Sequence, residues 1–491
     1  MKPLQSVILT GFLSWGGLLM SPWVVAGDDF ESWHRQYMQE FQEFKDERDR
    51  EFLAFLKAHW KEMDTLRGVV RDKTPKPRVI PKVKPPSRPK PTPTPQLPKV
   101  RPPVVLPPPP KPSPAPVIPA PGVRIKVAFY GHQLPFRVDR DFKVRLGHTL
   151  EKEAIRIYWA KLSRADYEPL VKQLKEQRRA LQLNDWAYLL LVHQIVKKLQ
   201  PNRPNEQALL TWFLLIKNGY QARIAYNDQR IYLFMPTKQP LYAVSYFTFG
   251  GKRYYVLPLE GNSQQKLGQV YTYDSDYPGA TKALDMQLSK AIVTRPQVIT
   301  KDLTFRHRPK RYTTKTHKIK IKYDKQTVEF FSTYPQMDIG MYFVSAVNPA
   351  MGNQLLEQLK PLVAGKSELE AVNLLLHFVQ TAFEYQLDKT QFGEENYLFA
   401  EETLYYPYSD CEDRSILFAW LVRNLLKLEV VGLDYPGHIA AAVHFNGDVR
   451  GDAFNYRGKR YVVTDPTYIN ADAGMSMPQY KNTPPKIIPT L

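Results

Sequence analysis

The sequence predicts an α+β protein, and three observations lead to that class. An apolar helical run over 416–426 follows almost directly after Cys411, the only cysteine among the 491 residues. Apolar segments of strand length come next, bounded by turn residues such as Pro436 and Gly437. A similar helix followed by similar strands occurs earlier in the chain. The sequence therefore predicts that a unit built from a helix and a sheet occurs twice.

Residues 1–26 have the pattern of a secretory signal peptide. Lys2 gives a positive start, an apolar stretch covers 7–19, and Val24-Val25-Ala26 offers a small-residue cleavage site. Glycines and Pro22 make this stretch a poor membrane-spanning helix, and no later segment reaches the ~18 uninterrupted apolar residues of a span. We expect an exported protein of the periplasm or cell envelope, with at most peripheral membrane contact.

Residues 28–66 are predicted to contain one amphipathic helix, over 29–63. Its aromatic side chains recur at helical spacing, with charged residues between them. They are Phe30, Trp33, Tyr37, Phe41, Phe44, Phe52, Phe55 and Trp60. An aromatic stripe of this width has to be buried against another surface. Because the polar face mixes acids and bases, we expect self-association or a protein partner more than a membrane surface.

Residues 67–121 form a proline-rich basic linker. Its composition cannot build a core and favours extended polyproline II structure. Much of the +20 formal net charge lies in this tract. The basic residues lack interleaved stacking aromatics, so the sequence predicts a tether and no nucleic-acid partner.

From residue 122 the composition becomes globular, and an internal repeat emerges. The predicted modules are 122–265 and 351–491, with a β-rich segment over 266–350 between them. The matched segments are 189–193 with 373–377, 208–215 with 416–422, 251–256 with 458–463, and 127–130 with 328–331. Within the β-rich segment, 318–322 and 327–332 are predicted strands. Arg203 or a neighbour falls opposite Cys411, and Pro258 opposite Asp465, so the first copy is predicted to be degenerate.

The candidate site is built around Cys411. Ser409 with Glu412 fits a capping box, which makes Ser409 the predicted N-cap and places the sulfur in the first helical turn. The helix dipole there favours thiolate. His438 starts an apolar strand and Asp465 ends another. A thiol, an imidazole and a carboxylate in this order are what a Cys-His-Asp triad requires.

An unpaired thiol is a liability in an oxidising compartment, so its retention favours a function for it. A buried inert cysteine is the alternative, against which the polar neighbours Asp410, Glu412 and Asp413 argue. These acids by themselves raise a thiol pKa. They could also hold the helix or select a basic substrate.

Residues 367–470 resemble a transglutaminase-like domain of the papain-like cysteine superfamily. The resemblance is carried by Phe383-Glu384-Tyr385, Asp410-Cys411 opening a helix, Arg423 and the strand 430–433, Gly437-His438, and Asp465-Pro466-Thr467. It implies a papain/transglutaminase-like core, with the cysteine helix packed on an antiparallel sheet. It also implies Cys411 as nucleophile, His438 as base and Asp465 as the residue that orients it. Tyr406, Tyr408 and Asp410 are candidates to support the oxyanion.

Two other histidines compete with this assignment. His444 is the alternative base, because it lies six residues from His438 on the same strand face. His377 lies on an apolar helical stripe, which indicates a core histidine. No Cys/His cluster or glycine-rich loop indicates a metal or nucleotide, so we expect no metal and no cofactor.

The sequence thus predicts an exported cysteine-dependent acyl-transfer enzyme, either a peptidase or amidase or a transglutaminase. Its substrate would be a protein, a peptide or peptidoglycan of the cell envelope. The alternative is a non-catalytic envelope scaffold or binding protein with transglutaminase-like modules.

Overall fold

A computed structural model describes residues 47–61, 122–147, 149–257, 259, 270–273, 275–310 and 313–490. The expected signal peptide, most of the aromatic segment and the whole linker lie outside these residues. The chain divides into two compact units, Met1–Phe52 and Leu53–Leu491. Of the first unit only residues 47–52 are described, and they are helical.

The first half of the second unit consists of a hairpin, a group of helices and an antiparallel sheet. Its elements are α1 (53–59), β1 (Trp60–Lys61), β2 (Val123–Phe129), β3 (His132–Val138), α2 (Lys152–Arg164), α3 (Glu168–Ala180), α4 (Asp185–Leu199), α5 (Pro204–Lys217), β4 (Arg223–Tyr226), β5 (Ile231–Pro236), β6 (Tyr246–Phe249), β7 (Lys252–Val256) and β8 (Tyr271–Tyr273). The sheet has the strand order β1-β8-β4-β5-β7-β6.

The second half repeats this pattern with additional short elements. They are β9 (Val298–Lys310), β10 (Thr313–Asp324), α6 (Lys325–Phe331), α7 (Ile339–Phe343), α8 (Pro349–Val363), α9 (Glu368–Ala382), β11 (Glu384–Tyr385), α10 (Asp388–Gln391), α11 (Ala400–Tyr405), β12 (Tyr408–Ser409), α12 (Cys411–Leu421), β13 (Glu429–Tyr435), β14 (His438–His444), β15 (Ala453–Tyr456), β16 (Lys459–Thr464) and β17 (Lys486–Ile488). The sheet order is β15-β16-β14-β13-β17, and β11 and β12 form a separate parallel pair. The protein is therefore α+β.

The two halves share one strand order. Read from the corresponding edge, β8-β4-β5-β7-β6 matches β17-β13-β14-β16-β15, and all neighbours in both sheets are antiparallel. In each half the hairpin packs on two helices, β2 on α4 and β3 on α3, β9 on α9 and β10 on α8. In each half the next helix, α5 or α12, packs on the first two strands of the sheet. Three of the four sequence matches fall on equivalent elements of this scheme.

The fourth match is wrong. Residues 127–129 belong to strand β2, whereas 328–331 belong to helix α6. The strand expected over 327–332 is also wrong, because the Asp324 side chain accepts a hydrogen bond from Gln326 N at 3.0 Å and begins a helix there. The hairpin β9–β10, inside the expected β-rich segment, is the counterpart of β2–β3.

The end of the aromatic segment packs within the chain. The helix expected to continue to residue 63 ends at 59, because residues 60 and 61 pair with β8 at the sheet edge. Phe55 packs edge-on against Tyr273 and Tyr277, with ring centroids 5.9 and 5.5 Å apart. This part of the stripe is covered by the first half, where the sequence alone led us to expect a partner or a second copy.

Helix α12 lies at the centre of the second half. Apart from Ser415, the residues after its first turn are all apolar, and every residue of the helix except Trp420 is buried. Such a helix cannot remain at a surface, so it is enclosed by α9, α11 and the strands β13 and β14. None of the helices in the described part of the chain is long and apolar enough to cross a bilayer.

Buried His193 in α4 generates a prediction about stability. Neither ring nitrogen has a hydrogen-bond partner among the described residues, and burial lowers the pKa of His193 to about 4. The unfolded chain takes up the proton near pH 6.5, so stability is complete above that pH and is lost as the pH falls towards 4.

We expect urea unfolding to show a smaller loss of stability between pH 7 and pH 5 in His193→Leu than in the natural chain. The difference should be on the order of 1–2 kcal/mol. The half-exposed His132 supplies the control, and His132→Gln should keep the natural pH dependence. Equal pH dependence in His193→Leu and the natural chain would contradict the assignment.

Candidate functional site

The cysteine helix begins one residue later than expected. Asp410 is the N-cap, Cys411 is the first residue of α12, and Asp410 N donates to Asp413 Oδ2 at 3.3 Å. Ser409, the predicted cap, lies in β12 opposite Tyr385. This pairing keeps the backbone extended through Ser409, so the helix starts only after Asp410.

His438 and Asp465 form a hydrogen-bonded pair. His438 Nε2 lies 2.8 Å from Asp465 Oδ2, and both side chains are buried. Asp465 Oδ1 accepts hydrogen bonds from Thr467 N at 2.9 Å and Thr467 Oγ1 at 2.8 Å. Burial alone would raise the pKa of Asp465, but His438 and these donors lower it below its usual value. The carboxylate is thus ionised and fixes the imidazole by one nitrogen.

The thiol lies beside this pair but is not hydrogen-bonded to it. Ile439 N donates to Cys411 Sγ at 3.5 Å, which places the sulfur at the start of β14. The thiol itself donates to Glu412 Oε2 at 2.9 Å. His438 Nδ1 has no hydrogen-bond partner among the described residues. The structure therefore brings the three predicted residues to one place, with Glu412 holding the thiol.

The thiol is protonated in this arrangement. Burial, and then the carboxylates of Glu412 and Asp410, raise the pKa of Cys411 well above its usual value. The helix dipole was expected to favour thiolate, but it supplies only about half a charge. Two adjacent carboxyl groups in a buried position outweigh it.

Four carboxyl groups surround the start of the helix. Asp388, Glu395, Asp410 and Glu412 can each direct one oxygen so that all four oxygens lie within 4.8 Å of one another. Among the described residues, both oxygens of Asp410 and Oε1 of Glu412 have no hydrogen-bond partner. Burial and the neighbouring acids raise the pKa of Asp388 to about 10 and that of Asp410 well above its usual range.

Carboxylate oxygens at this spacing are the ligands that Ca²⁺ prefers. We did not predict this set from the sequence, and we expected no metal. Asp388 begins α10 and Glu395 lies in the loop after it, both before the Asp-Cys-Glu segment. Their spacing fits no metal-binding motif, and only the fold brings them together with Asp410 and Glu412. The only feature of the sequence that pointed to a cation site at these positions was that the residues are acidic.

Two cations hold the segments around these acids, the buried Arg414 and the half-buried Lys301. Arg414 donates from Nε to Ser409 Oγ at 3.0 Å and from Nη2 to the Phe383 carbonyl at 2.9 Å. Burial lowers the pKa of Arg414 to about 10. Lys301 of β9 donates to the carbonyls of Leu404, Tyr405 and Tyr406, at 3.2, 3.1 and 3.1 Å. It thereby caps the C-terminus of α11, and the hairpin supports the segment that leads into Cys411.

The residues predicted to support the site, Tyr408 and Asp410, lie just before Cys411 in the chain, whereas the alternative base His444 lies far from the site. Tyr408 lies in β12 opposite Glu384, and Asp410 is the helix cap and a member of the carboxyl cluster. His444 was the alternative base. It lies at the far end of β14, six residues or roughly 20 Å from His438, and its Nδ1 contacts the Arg460 carbonyl at 2.9 Å.

His377 is a buried residue of α9. Its Nε2 lies 3.2 Å from Asp472 Oδ1, and its Nδ1 accepts a hydrogen bond from Arg308 N at 3.4 Å. These contacts hold α9 to β9 and to the loop after β16, away from the sulfur.

The first half has apolar residues at the positions that correspond to Cys411, His438 and Asp465 of the second half. Its ladder pairs Phe234 with Val256 where the second half pairs Ala441 with Thr464. Counting from these pairs, Ile231 corresponds to His438 and Leu257 to Asp465. The first residue of α5, Pro204, corresponds to Cys411. Pro204 is a neighbour of Arg203, as the sequence predicted, whereas Leu257 replaces the predicted counterpart Pro258.

A small cavity of about 110 Å³ opens beside the site. Glu412 and His438 line it, together with Tyr242, Tyr397 and Asp434. Cys411 is fully buried and is not among the lining residues. A molecule in this cavity would meet the imidazole and the Glu412 carboxyl group before the sulfur.

No protein-family model, no curated protein and no solved structure matches this chain. Its function is therefore inferred from the residues and the geometry of this site.

Proposed function

We propose that the protein is an exported cysteine-dependent acyl-transfer enzyme that acts on amide substrates of the cell envelope. The observation that carries the proposal is the contact between His438 and Asp465 beside Cys411. When Nε2 donates to the carboxylate, Nδ1 is left without a proton and can act as a base. Cys411 is the proposed nucleophile, His438 the acid and base, and Asp465 the orienting residue.

The proposed reaction has two balanced steps. The thiol gives its proton to His438 Nδ1, the sulfur attacks the amide carbonyl, and the C–N bond breaks as that proton passes to the leaving amine. Water or an amine then attacks the thioester, its proton returns through His438, and the thiol is restored. Water gives a peptidase or amidase, and a lysine amine gives a transglutaminase. The site supports both outcomes equally.

The arrangement described here is a resting one. Sγ donates to Glu412, and burial of the thiol, followed by the carboxyl groups of Glu412 and Asp410, raises the pKa of Cys411 and holds the thiol in its protonated form. For proton transfer to Nδ1, the Glu412 carboxyl group has to leave the sulfur. Its place on the wall of the small cavity gives it room to turn.

Cation binding is the second candidate function, and the convergence of four carboxyl groups favours it. A divalent cation would satisfy the unpartnered oxygens of Asp410 and Glu412, and Ca²⁺ accepts such an oxygen-only set. This function would also suit a non-catalytic envelope scaffold. In the enzyme, a cation that engages Glu412 would draw that carboxylate away from the thiol.

We expect a peptidyl chloromethyl ketone at pH 7.5 with 1 mM Ca²⁺ to label the chain at its single cysteine. Labelling should disappear in Cys411→Ala. It should fall by about 10²-fold or more in His438→Ala and Asp465→Asn, because removal of a general base costs at least that much. Intact-mass spectrometry over time gives the rates.

The matched control is His444→Ala, a histidine on the same strand and outside the site. It should label at the natural rate. Equal rates in His438→Ala and the natural chain would rule out the proposed base and leave the scaffold as the better function.

Calcium titration tests the cation site independently of catalysis. We expect Ca²⁺ to raise the melting temperature of the natural chain by several degrees, since a ligand at 100 times its Kd stabilises by about 2.7 kcal/mol. Asp388→Asn should melt higher than the natural chain without Ca²⁺, because it removes a repelling charge, and should lose the response to Ca²⁺.

The control is Glu394→Gln, which changes the neighbour of Glu395 in the same loop but lies outside the four-carboxyl set. It should keep the Ca²⁺ response. A chain that does not respond to Ca²⁺, or an unchanged response in Asp388→Asn, would contradict the cation site.

A further inference from the structure

A second and larger cavity, of about 450 Å³, lies between the two halves of the unit. This volume is in the range of sites that hold drug-sized ligands. The walls come from both halves: Tyr130, Trp186 and Gln194 from the first, and Tyr334, Gln336 and Asn396 from the second. The cavity therefore exists only because the two halves are joined.

This cavity adjoins the candidate site in two ways. Tyr242 lines both the large cavity and the small cavity beside His438 and Glu412. The loop 394–397 separates the large cavity from the carboxyl cluster. Glu394 and Asn396 line the cavity, whereas Glu395 belongs to the cluster. Asn396 N also donates to Asp388 Oδ2 at 2.8 Å. A ligand in the large cavity would thus lie against the loop that supplies the site.

The chemistry of the walls restricts the ligand. The lining includes several aromatic rings and three side-chain amides, and no lysine or arginine is among the described residues that line the cavity. Glu394 is its one lining carboxylate and is exposed. Gln194, also exposed, has no hydrogen-bond partner among the described residues, so its amide can serve a ligand. An anionic polymer would find no positive charge here, whereas a neutral or basic chain is compatible.

One wall carries backbone strain. Ala243 has φ +55°, in the left-handed region that non-glycine residues adopt at a cost. Its neighbour Tyr242 is held by its backbone N–H, which donates to the Gln336 carbonyl at 2.7 Å. The two halves thus meet at the point where the two cavities adjoin, and the strained segment fixes Tyr242 there.

We propose that the large cavity binds an extended peptide segment, neutral or basic, next to the amide on which the site acts. The role of that amide rests on the proposed function. Aromatic walls suit the side chains of such a segment, and the amides suit its backbone. Pro204 stands in the first half at the place that Cys411 has in the second. Holding substrate is the task that the first half then has.

The test measures binding, with turnover blocked by Cys411→Ala in the full chain. A library of random 12-residue peptides, displayed on their mRNA, is selected on this variant. Gln194→Trp fills the cavity mouth from an exposed helical position. Lys198→Trp is its matched control, since it is exposed on the same helix one turn later and lies outside the lining residues.

We expect selected peptides rich in aromatic residues and poor in acidic ones. They should bind at least tenfold more weakly when Gln194→Trp is added and equally well when Lys198→Trp is added. Glu394→Lys should weaken the binding of basic peptides. Glu357→Lys, on the exposed face of α8, should leave their binding unchanged.

Several results would overturn the proposal. One is a library from which no peptide is enriched, and another is a set of selected peptides whose binding does not change in Gln194→Trp. A preference for acidic peptides would also overturn it. Displacement of the peptides by chitotetraose would indicate a glycan site instead. Peptide binding without probe labelling of Cys411 would refute the enzyme but keep the peptide site. Probe labelling of Cys411 without cavity-dependent peptide binding would refute the peptide site but keep the enzyme.

Discussion

The burial of carboxyl groups at the start of α12 is the constraint on which the site depends. Charged carboxylates in an interior repel one another and lose their hydration, so each must be protonated, paired or bound to a cation. Several segments hold them in place: Leu398 N donates to Asp413 at 2.9 Å, Asn396 N donates to Asp388, and Arg414 and Lys301 fasten the chain on either side. Burial of the thiol, followed by the carboxyl groups of Glu412 and Asp410, raises the pKa of Cys411 and keeps the thiol protonated. Stability and reactivity at this site are therefore linked through one set of charges.

In the proposed function, the two halves of the protein have different tasks. Their sheets share one strand order, but the positions of Cys411, His438 and Asp465 are taken in the first half by Pro204, Ile231 and Leu257. Apolar residues there improve packing and remove the cost of burying polar groups. The first half then contributes cavity walls and covers Phe55 of the N-terminal segment. The first half would in this way retain a role beside the half to which we assign the reaction.

Much of this could be predicted from the sequence, and the failures have physical causes. Cys411, His438 and Asp465 were predictable because each begins an element or directly follows one, where periodicity changes visibly. Ser409 was wrong as the cap because pairing of β11 with β12 is a contact between distant segments. The prediction of a strand at 327–332 was wrong because a run of Val and Phe suits a strand or a buried helix equally. The helix cap at Asp324 selects the helix. The carboxyl cluster was not predictable, since Asp388 and Glu395 reach it only through the fold.

The central claim is that Glu412 holds the thiol unreactive, and alkylation of the single cysteine tests it most directly. The rate of iodoacetamide modification of the full chain is measured at pH 7.5 without divalent cations, by intact-mass spectrometry. Glu412→Gln removes the neighbouring charge and should raise the rate at least tenfold, because only the thiolate reacts. Asp434→Asn, which removes a carboxylate from the same small cavity, should leave the rate unchanged. An unchanged or slower rate in Glu412→Gln would contradict the account.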